Sequence, residues 1–295
     1  MTRVAAVDIG TNSTRLLVAD VDGEQVTEVV RRSTVTRLGE GVDARRLLLP
    51  VPIARTRNVL ADYRREAEAL GAERTLAVAT SAVRDAENGE AFLGEVEWSY
   101  GFATRLLSGD EEAELTRRGV GSLAPTTLLL DVGGGSTEVS AGPFRQSLDV
   151  GSVRLTERFL RSDPPARGEL SAAAAFTAGL LPSLEVRDCV GVAGTVGQLA
   201  ALAGTATLSA ATVAGQLERL AALPEAQRRE VPNLDPARAP VIVAGCLIVR
   251  EVLAHYALAG LEFSERDILD GAALLAAALP PRGEGNAPPG AYTCC

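Results

Sequence analysis

Asp8 and Asp131 each close an apolar run and each precede a glycine turn and a Ser-Thr pair. The first segment reads Ala6-Val7-Asp8-Ile9-Gly10-Thr11-Asn12-Ser13-Thr14; the second reads Leu130-Asp131-Val132-Gly133-Gly134-Gly135-Ser136-Thr137-Glu138. Asp8, Gly10, Ser13 and Thr14 fall on Asp131, Gly133, Ser136 and Thr137. A single aspartate of this kind is ordinarily an Asx-turn cap. Its recurrence in matched context points to two similar lobes, each offering a carboxylate and an amide-rich turn. Carboxylate oxygens suit a hard cation such as Mg²⁺, which keeps several waters and needs few protein ligands. Turns without Cβ atoms let backbone N–H groups converge on an anion. Candidate metal ligands are therefore Asp8, Asp131 and Glu138, although Glu138 also reads as a solvated sheet position. Candidate phosphate contacts run along Thr11, Asn12 and Ser13, and along Gly133, Gly134, Gly135 and Ser136.

Three further segments join this set. Thr80-Ser81-Ala82-Val83-Arg84 places an Arg one turn inside a capped helix, where free amides and the macrodipole attract anions. Gly109-Asp110-Glu111-Glu112 is an acidic first helical turn, ordinary on dipole grounds. One of its carboxylates near a terminal phosphate would orient and deprotonate water. Gly194-Thr195 follows an apolar strand and forms a third candidate phosphate turn. His255, the single histidine, stands mid-helix without a partner motif and reads as a surface or half-buried residue.

Composition narrows the chemistry. The chain has 295 residues, 46% of them hydrophobic and only 4% aromatic, so Leu, Val and Ala must fill its core. All 29 basic residues are Arg, which excludes a lysine-dependent P-loop or Schiff base. Phosphate contact by a cationic side chain falls to the bidentate guanidinium. One histidine excludes multi-histidine metal sites. A net charge of −9 argues against a nucleic-acid or membrane-surface binder. The four cysteines lack zinc-ligand spacing, no leader-like segment opens the chain, and no apolar run is long enough to span a bilayer. A cytoplasmic protein is expected.

The elements that must position these residues alternate between strand and helix, predicting an α/β fold. Strands are expected at 3–10, 14–21, 24–30, 33–38, 76–79 and 103–107, with helices at 53–70 (ending at Gly71), 82–95 and 109–118. A second lobe from about Thr126 repeats the opening with strands at 127–132, 137–141 and 145–150. Helices follow at 153–161 and 168–182. A strand at 190–193 runs into the Gly194 turn, and helices are expected at 196–203, 209–221, 238–256 and 264–279. Residues 43–52 have no evident role. The expected domains are 1–122, 123–279 (with the last helix able to pack back on the first lobe) and a disordered Pro/Gly-rich tail, 280–295.

The ordered set Asp8-x-Gly-Thr-Asn-Ser, Ala79-Thr-Ser-Ala-x-Arg84, Ser108-Gly-x-Glu-Glu-Ala113, Asp131-x-Gly-Gly-Gly-Ser-Thr-Glu138 and Gly194-Thr195 resembles one family. It is similar to the exopolyphosphatase/guanosine pentaphosphate phosphatase (Ppx/GppA) family of the actin-like ATPase superfamily, over about residues 3–279. Arg154 after Gly151-Ser152, and Ser264 to Gly271, also resemble it. The Ser162-Asp-Pro-Pro165 texture is similar to short actinobacterial members. The resemblance implies a two-lobe ribonuclease-H-like fold with an interlobe cleft. It also implies Mg²⁺-dependent hydrolysis of a terminal phosphoanhydride, with Mn²⁺ as the alternative ion. The substrate would be polyphosphate, guanosine penta- or tetraphosphate, or both, and the assembly a homodimer. It gives Glu112, the second Glu of its pair, the general-base position. Asp131 and Glu138 take metal and water positions, with Asp8 a further ligand. Asn12, Ser13, Arg84, Gly134, Gly135 and Ser136 take phosphate positions. Competing readings are a nucleotide- or alarmone-binding regulator and a small-molecule kinase of the same superfamily.

Overall fold

The computed structural model describes residues 1–280. The chain forms two compact units: Met1–Val120 together with the C-terminal segment that begins at Ile268, and Gly121–Asp267. The tail expected from 280 onward, with Cys294 and Cys295, lies outside the described residues apart from Pro280.

The first unit runs β1 (Thr2–Ile9), β2 (Ser13–Asp22), β3 (Gln25–Val35), α1 (Val42–Arg45), α2 (Pro50–Ala69), β4 (Arg74–Ala79), α3 (Ser81–Asp85), α4 (Gly89–Tyr100), β5 (Ala103–Leu106) and α5 (Gly109–Val120). Its sheet has the order β3-β2-β1-β4-β5. The first three strands form an antiparallel meander, and β4 and β5 add in parallel. Alternation along β1 divides the core. Ala5, Val7 and Ile9 pack with Leu60 and Tyr63 of α2 and Phe92 and Val96 of α4. Val4 and Ala6 face Leu115 of α5 and the C-terminal helix. Asp8 shares this second face.

The second unit contains β6 (Thr127–Val132), β7 (Thr137–Ala141), β8 (Phe144–Leu148), α6 (Ser152–Phe159), α7 (Arg167–Leu180), β9 (Asp188–Val192), α8 (Ala193–Ala203), β10 (Thr207–Ser209), α9 (Ala210–Ala221), α10 (Glu225–Arg228), a 3₁₀ turn (Pro236–Arg238), α11 (Ile242–His255) and β11 (Gly260–Phe263). Its sheet, read as β8-β7-β6-β9-β11-β10, repeats the first unit's order and then adds one strand. Leu128, Leu130 and Val132 of β6 pack with α8, α9 and α11, so Asp131 stands on the opposite face. After Asp267 the chain returns to the first unit as α12 (Ile268–Ala277). There, Gly271 lets α12 approach α5 so closely that a Cβ would lie 2.0 Å from the Leu115 carbonyl oxygen.

Several expected elements are corrected. Strands 24–30 and 33–38 are one strand, β3. Helix 82–95 is broken into α3 and α4 at Ala86–Asn88. The break is pinned by Glu87 N–H donating to the Arg46 carbonyl (2.8 Å) and by the Asn88 side chain closing two bonds with the Leu48 backbone. The unassigned 43–52 stretch thus braces the helix that carries Arg84. Helix 238–256 is a 3₁₀ turn followed by α11, and helix 264–279 is shortened to α12. Strands β10 and β11 escape sequence reading because their three and four residues carry too little period to register. Among the described residues, no helix is long and apolar enough to cross a membrane.

Candidate functional site

In open α/β sheets, ligands gather at the carboxyl ends of strands where the strand order reverses. In the first unit that reversal falls between β1 and β4. The ends of β1, β4 and β5 lead directly into Asp8–Ser13, Ser81–Arg84 and Gly109–Glu112. In the second unit the ends of β6 and β9 lead into Asp131–Ser136 and Ala193–Thr195.

The two repeated turns close in the same way. Gly10 N–H donates to the Ser13 carbonyl and Gly133 N–H to the Ser136 carbonyl, both at 3.0 Å. In both, neighbouring loop amides take the turn's carbonyls. Thr36 and Arg37 N–H donate to the Asn12 carbonyl (3.0 and 2.9 Å), and Gly39 N–H to that of Thr11 (2.8 Å). Ser152 N–H donates to Gly133, and Val153 and Arg154 N–H to Gly134; Arg154 Nε reaches the Gly135 carbonyl at 2.6 Å. Because N–H and C=O point oppositely across each planar peptide, occupying the carbonyls turns the amides to the other side. Amides turned to one side in this way are the donors that an anion-binding concavity needs. Asn12 is 7% exposed, and neither atom of its carboxamide has a partner among the described residues. A buried amide that the protein leaves unsatisfied calls for a partner from outside it, such as water or a ligand oxygen.

Individual residues depart from equal roles. The Thr11 hydroxyl accepts from Ala82 N–H (3.2 Å), so it ties the turn to α3. Ser13 and Ser136 close their turns through their carbonyls, and Ser136 is buried. Gly194 and Thr195, expected in a turn before the helix, form the first turn of α8 instead. The Thr195 methyl is turned inward, filling the space that a Cβ on Gly245 would need. Ala193, immediately before, holds φ +63°, a strained position for a residue with a Cβ. The Arg238 guanidinium lies over Gly194, where a Cβ would be 2.4 Å from it. Sequence reading missed Arg238 because it lies far beyond Gly194's strand-and-turn signal in the chain; the two meet only through the fold.

The repeat diverges where it matters for charge. In the β1–β2 ladder Asp8 opposes Arg15, whose Nε and Nη2 both donate to Asp8 Oδ2 at 2.9 and 2.8 Å. At the equivalent place in the β6–β7 ladder, Asp131 opposes Glu138. Both are buried, and Glu138 Oε1 accepts from Ser147 Oγ at 2.7 Å. Opposed residues share a face, with Cβ atoms about 4.5–5.5 Å apart. Two close carboxylates match the oxygen donors of a hard cation, whereas the Asp8 carboxylate is already held by a guanidinium. Among the described residues, no cluster of three or more His, Cys, Asp or Glu side chains gathers to hold a metal.

The acidic pair of α5 also splits. Glu111 closes a capping box: its carboxylate accepts from Ser108 N–H (2.8 Å), and its own N–H donates to Ser108 Oγ (3.3 Å). That backbone hydrogen bond, with help from Arg105, pulls its carboxyl down to about 2. Glu112 turns inward to 7% exposure, and its Oε2 lies 3.2 Å from Arg84 Nη1. Arg84 also donates to the Leu107 carbonyl (2.7 Å), which fixes the guanidinium between β5 and α5. His255 is exposed and packs edge-on against Tyr256. Burial pushes the Cys189 and Cys246 thiols up to about 12, so neither offers a thiolate.

Two units with matching sheets, each ending a strand in an aspartate and an amide-rich turn, define an α/β protein built on a repeated mixed sheet. The Ppx/GppA phosphatase family model matches residues 17–274, and the chain belongs to this family. It is 40% identical over 313 residues to exopolyphosphatase 2 of Mycobacterium tuberculosis, covering 93% of this chain and 98% of the relative. It is 30% identical over 288 residues to exopolyphosphatase 1 of Mycobacterium bovis, covering 88% and 84%. The Aquifex aeolicus PPX-GPPA enzyme superposes with a TM-score of 0.76 at 28% identity, covering 93% of this chain and 99% of that structure. An exopolyphosphatase-like protein superposes at 0.85 with 30% identity, covering 92% and 97%.

Proposed function

We propose that this chain hydrolyses terminal phosphoanhydride bonds of inorganic polyphosphate, releasing orthophosphate, and that guanosine pentaphosphate is a second substrate of the same chemistry. The split of the acidic pair carries this reading. Glu111 is spent on the helix cap, while Glu112 is buried beside Arg84. Phosphoryl transfer asks for charge neutralisation and positioning more than covalent catalysis. Glu112 accepts the proton of the attacking water and orients it. Arg84 binds phosphate oxygens and holds Glu112 in place. Asn12 and the amides of the two turns bind phosphate oxygens, as does Arg238 beside Gly194. Asp131 and Glu138 are the residues that would hold Mg²⁺, which when bound neutralises charge on the phosphate oxygens. Asp8 orients Arg15 through Oδ2 and is the weaker candidate ligand of the three.

Orthophosphate release with Mg²⁺ from short and long polyphosphate and from guanosine pentaphosphate tests the reading, with wild type beside Glu112→Gln. Release by wild type that is lost in the variant supports it and ranks the substrates. Wild type that binds these compounds tightly without releasing orthophosphate would make the protein a sensor and overturn it.

A further inference from the structure

We infer that Gln198 is a positioning residue that holds Arg238 in place for a substrate phosphate; this rests on the phosphoanhydride reading above. Gly194 and Gln198 are one turn apart on α8 and share a face of the helix. That face docks the loop after Val231 at two points. At Gly194, the missing Cβ makes room for the Arg238 guanidinium, whose two terminal nitrogens would lie 2.4 and 2.5 Å from a Cβ. At Gln198, a buried carboxamide grips the loop backbone with both ends. Nε2 donates to the Asn233 carbonyl at 2.5 Å, and Oε1 accepts from Asp235 N–H at 3.0 Å.

The grip passes directly to Arg238. Asn233 adopts φ +66°, a left-handed conformation that Asn tolerates, bringing its carbonyl to Gln198. Asp235 then caps the 3₁₀ turn: its Oδ1 accepts from Ala237 N–H (2.9 Å) and its carbonyl accepts from Arg238 N–H (2.9 Å). Its Oδ2 lies 3.8 Å from Arg238 Nε. Arg238 is thereby held at 14% side-chain exposure beside the positive end of the α8 dipole. A cation at that end of a helix is electrostatically disfavoured, so something must hold it there. An anion binding at the same place relieves the repulsion. Gln198 supplies the restraint that keeps the guanidinium ready for that anion.

The test measures tripolyphosphate binding by calorimetry, together with KM and kcat for orthophosphate release. The proteins are wild type, Gln198→Met, Arg238→Ala and the double variant. Gln198→Met, close in volume and unable to bond the loop, should raise Kd and KM about tenfold, the scale of one charge-assisted hydrogen bond, with a smaller change in kcat. The double variant should lose no more than Arg238→Ala alone, because Gln198 acts through Arg238. Gln198→Ala, which removes both bonds to the loop without adding charge or bulk, should give the same rise in Kd and KM and decides the matter if Gln198→Met does not fold. Additive losses, or a Gln198→Met protein with wild-type Kd and KM, would overturn the positioning role while leaving the hydrolase reading intact. Wild type that neither binds nor hydrolyses any phosphoanhydride would overturn both.

Discussion

Glu112 Oε2 lies 3.2 Å from Arg84 Nη1, while the adjacent Glu111 faces away and caps the helix that both residues begin. Consecutive helical residues point about 100° apart, so one of the two must face inward when the other reaches the cap. This division predicts opposite phenotypes. Glu112→Gln should lower kcat by on the order of 10²–10⁴, the range for losing a general base, with substrate still bound. Glu111→Gln should leave kcat within a few-fold of wild type. Steady-state release of orthophosphate distinguishes them, and equal losses in both would remove the base from Glu112.

Glu111 also gives a pH signature. Its carboxyl titrates at about 2 in the folded chain against an ordinary 4.5, so the carboxylate stabilises the folded state fully above 4.5. That stabilisation disappears as pH falls towards 2. The side chain is 43% exposed, so solvent screening keeps the effect below about 1 kcal/mol. Urea unfolding of wild type and Glu111→Gln should differ at neutral pH and converge at the acid end. A difference that persists at low pH would place the stabilisation elsewhere.

Asp8 and Asp131 occupy equivalent places in the repeat yet meet opposite charges, Arg15 and Glu138. Asp131→Asn should therefore raise the Mg²⁺ concentration needed for half-maximal rate. Asp8→Asn should leave that requirement near wild type, because the Asp8 carboxylate is engaged by Arg15. Titrating each variant with Mg²⁺ at fixed substrate reads the difference directly. A raised Mg²⁺ requirement in Asp8→Asn would restore Asp8 as a ligand.

Gly271 meets α5 most closely at the Leu115 backbone carbonyl, which a side-chain movement cannot withdraw. Gly271→Ala should force α12 and α5 apart and destabilise the protein by about 1–3 kcal/mol, the cost of overpacking. Because α5 carries Glu112, kcat should fall as well. Chemical unfolding and kinetics on one preparation check both effects, and unchanged stability would show that the contact yields easily.

Much of the fold was legible in the residues because each unit is built from local patterns. The Asp8 and Asp131 segments announce a strand, a turn and a returning strand within a dozen positions, and the structure realises both as antiparallel ladders closed by the same 3.0 Å bond. Gly71 ends α2 with φ +75°, the conformation its type favours. Spacing and residue type fix such features because the interactions span only a few residues. Which glutamate of a pair caps and which faces inward depends on helix phase and on what β5 packs beside it. Which aspartate meets a guanidinium depends on ladder register, which no single strand encodes. Arg238 meets Gly194 where a loop distant in sequence, held by Gln198 at Asn233, folds back onto α8. The sequence by itself determined the repeated strands, the turns and the kinds of side chain at their ends. Tertiary structure alone decided which charges face one another, because burial and cross-strand pairing are properties of the assembled sheets and helices.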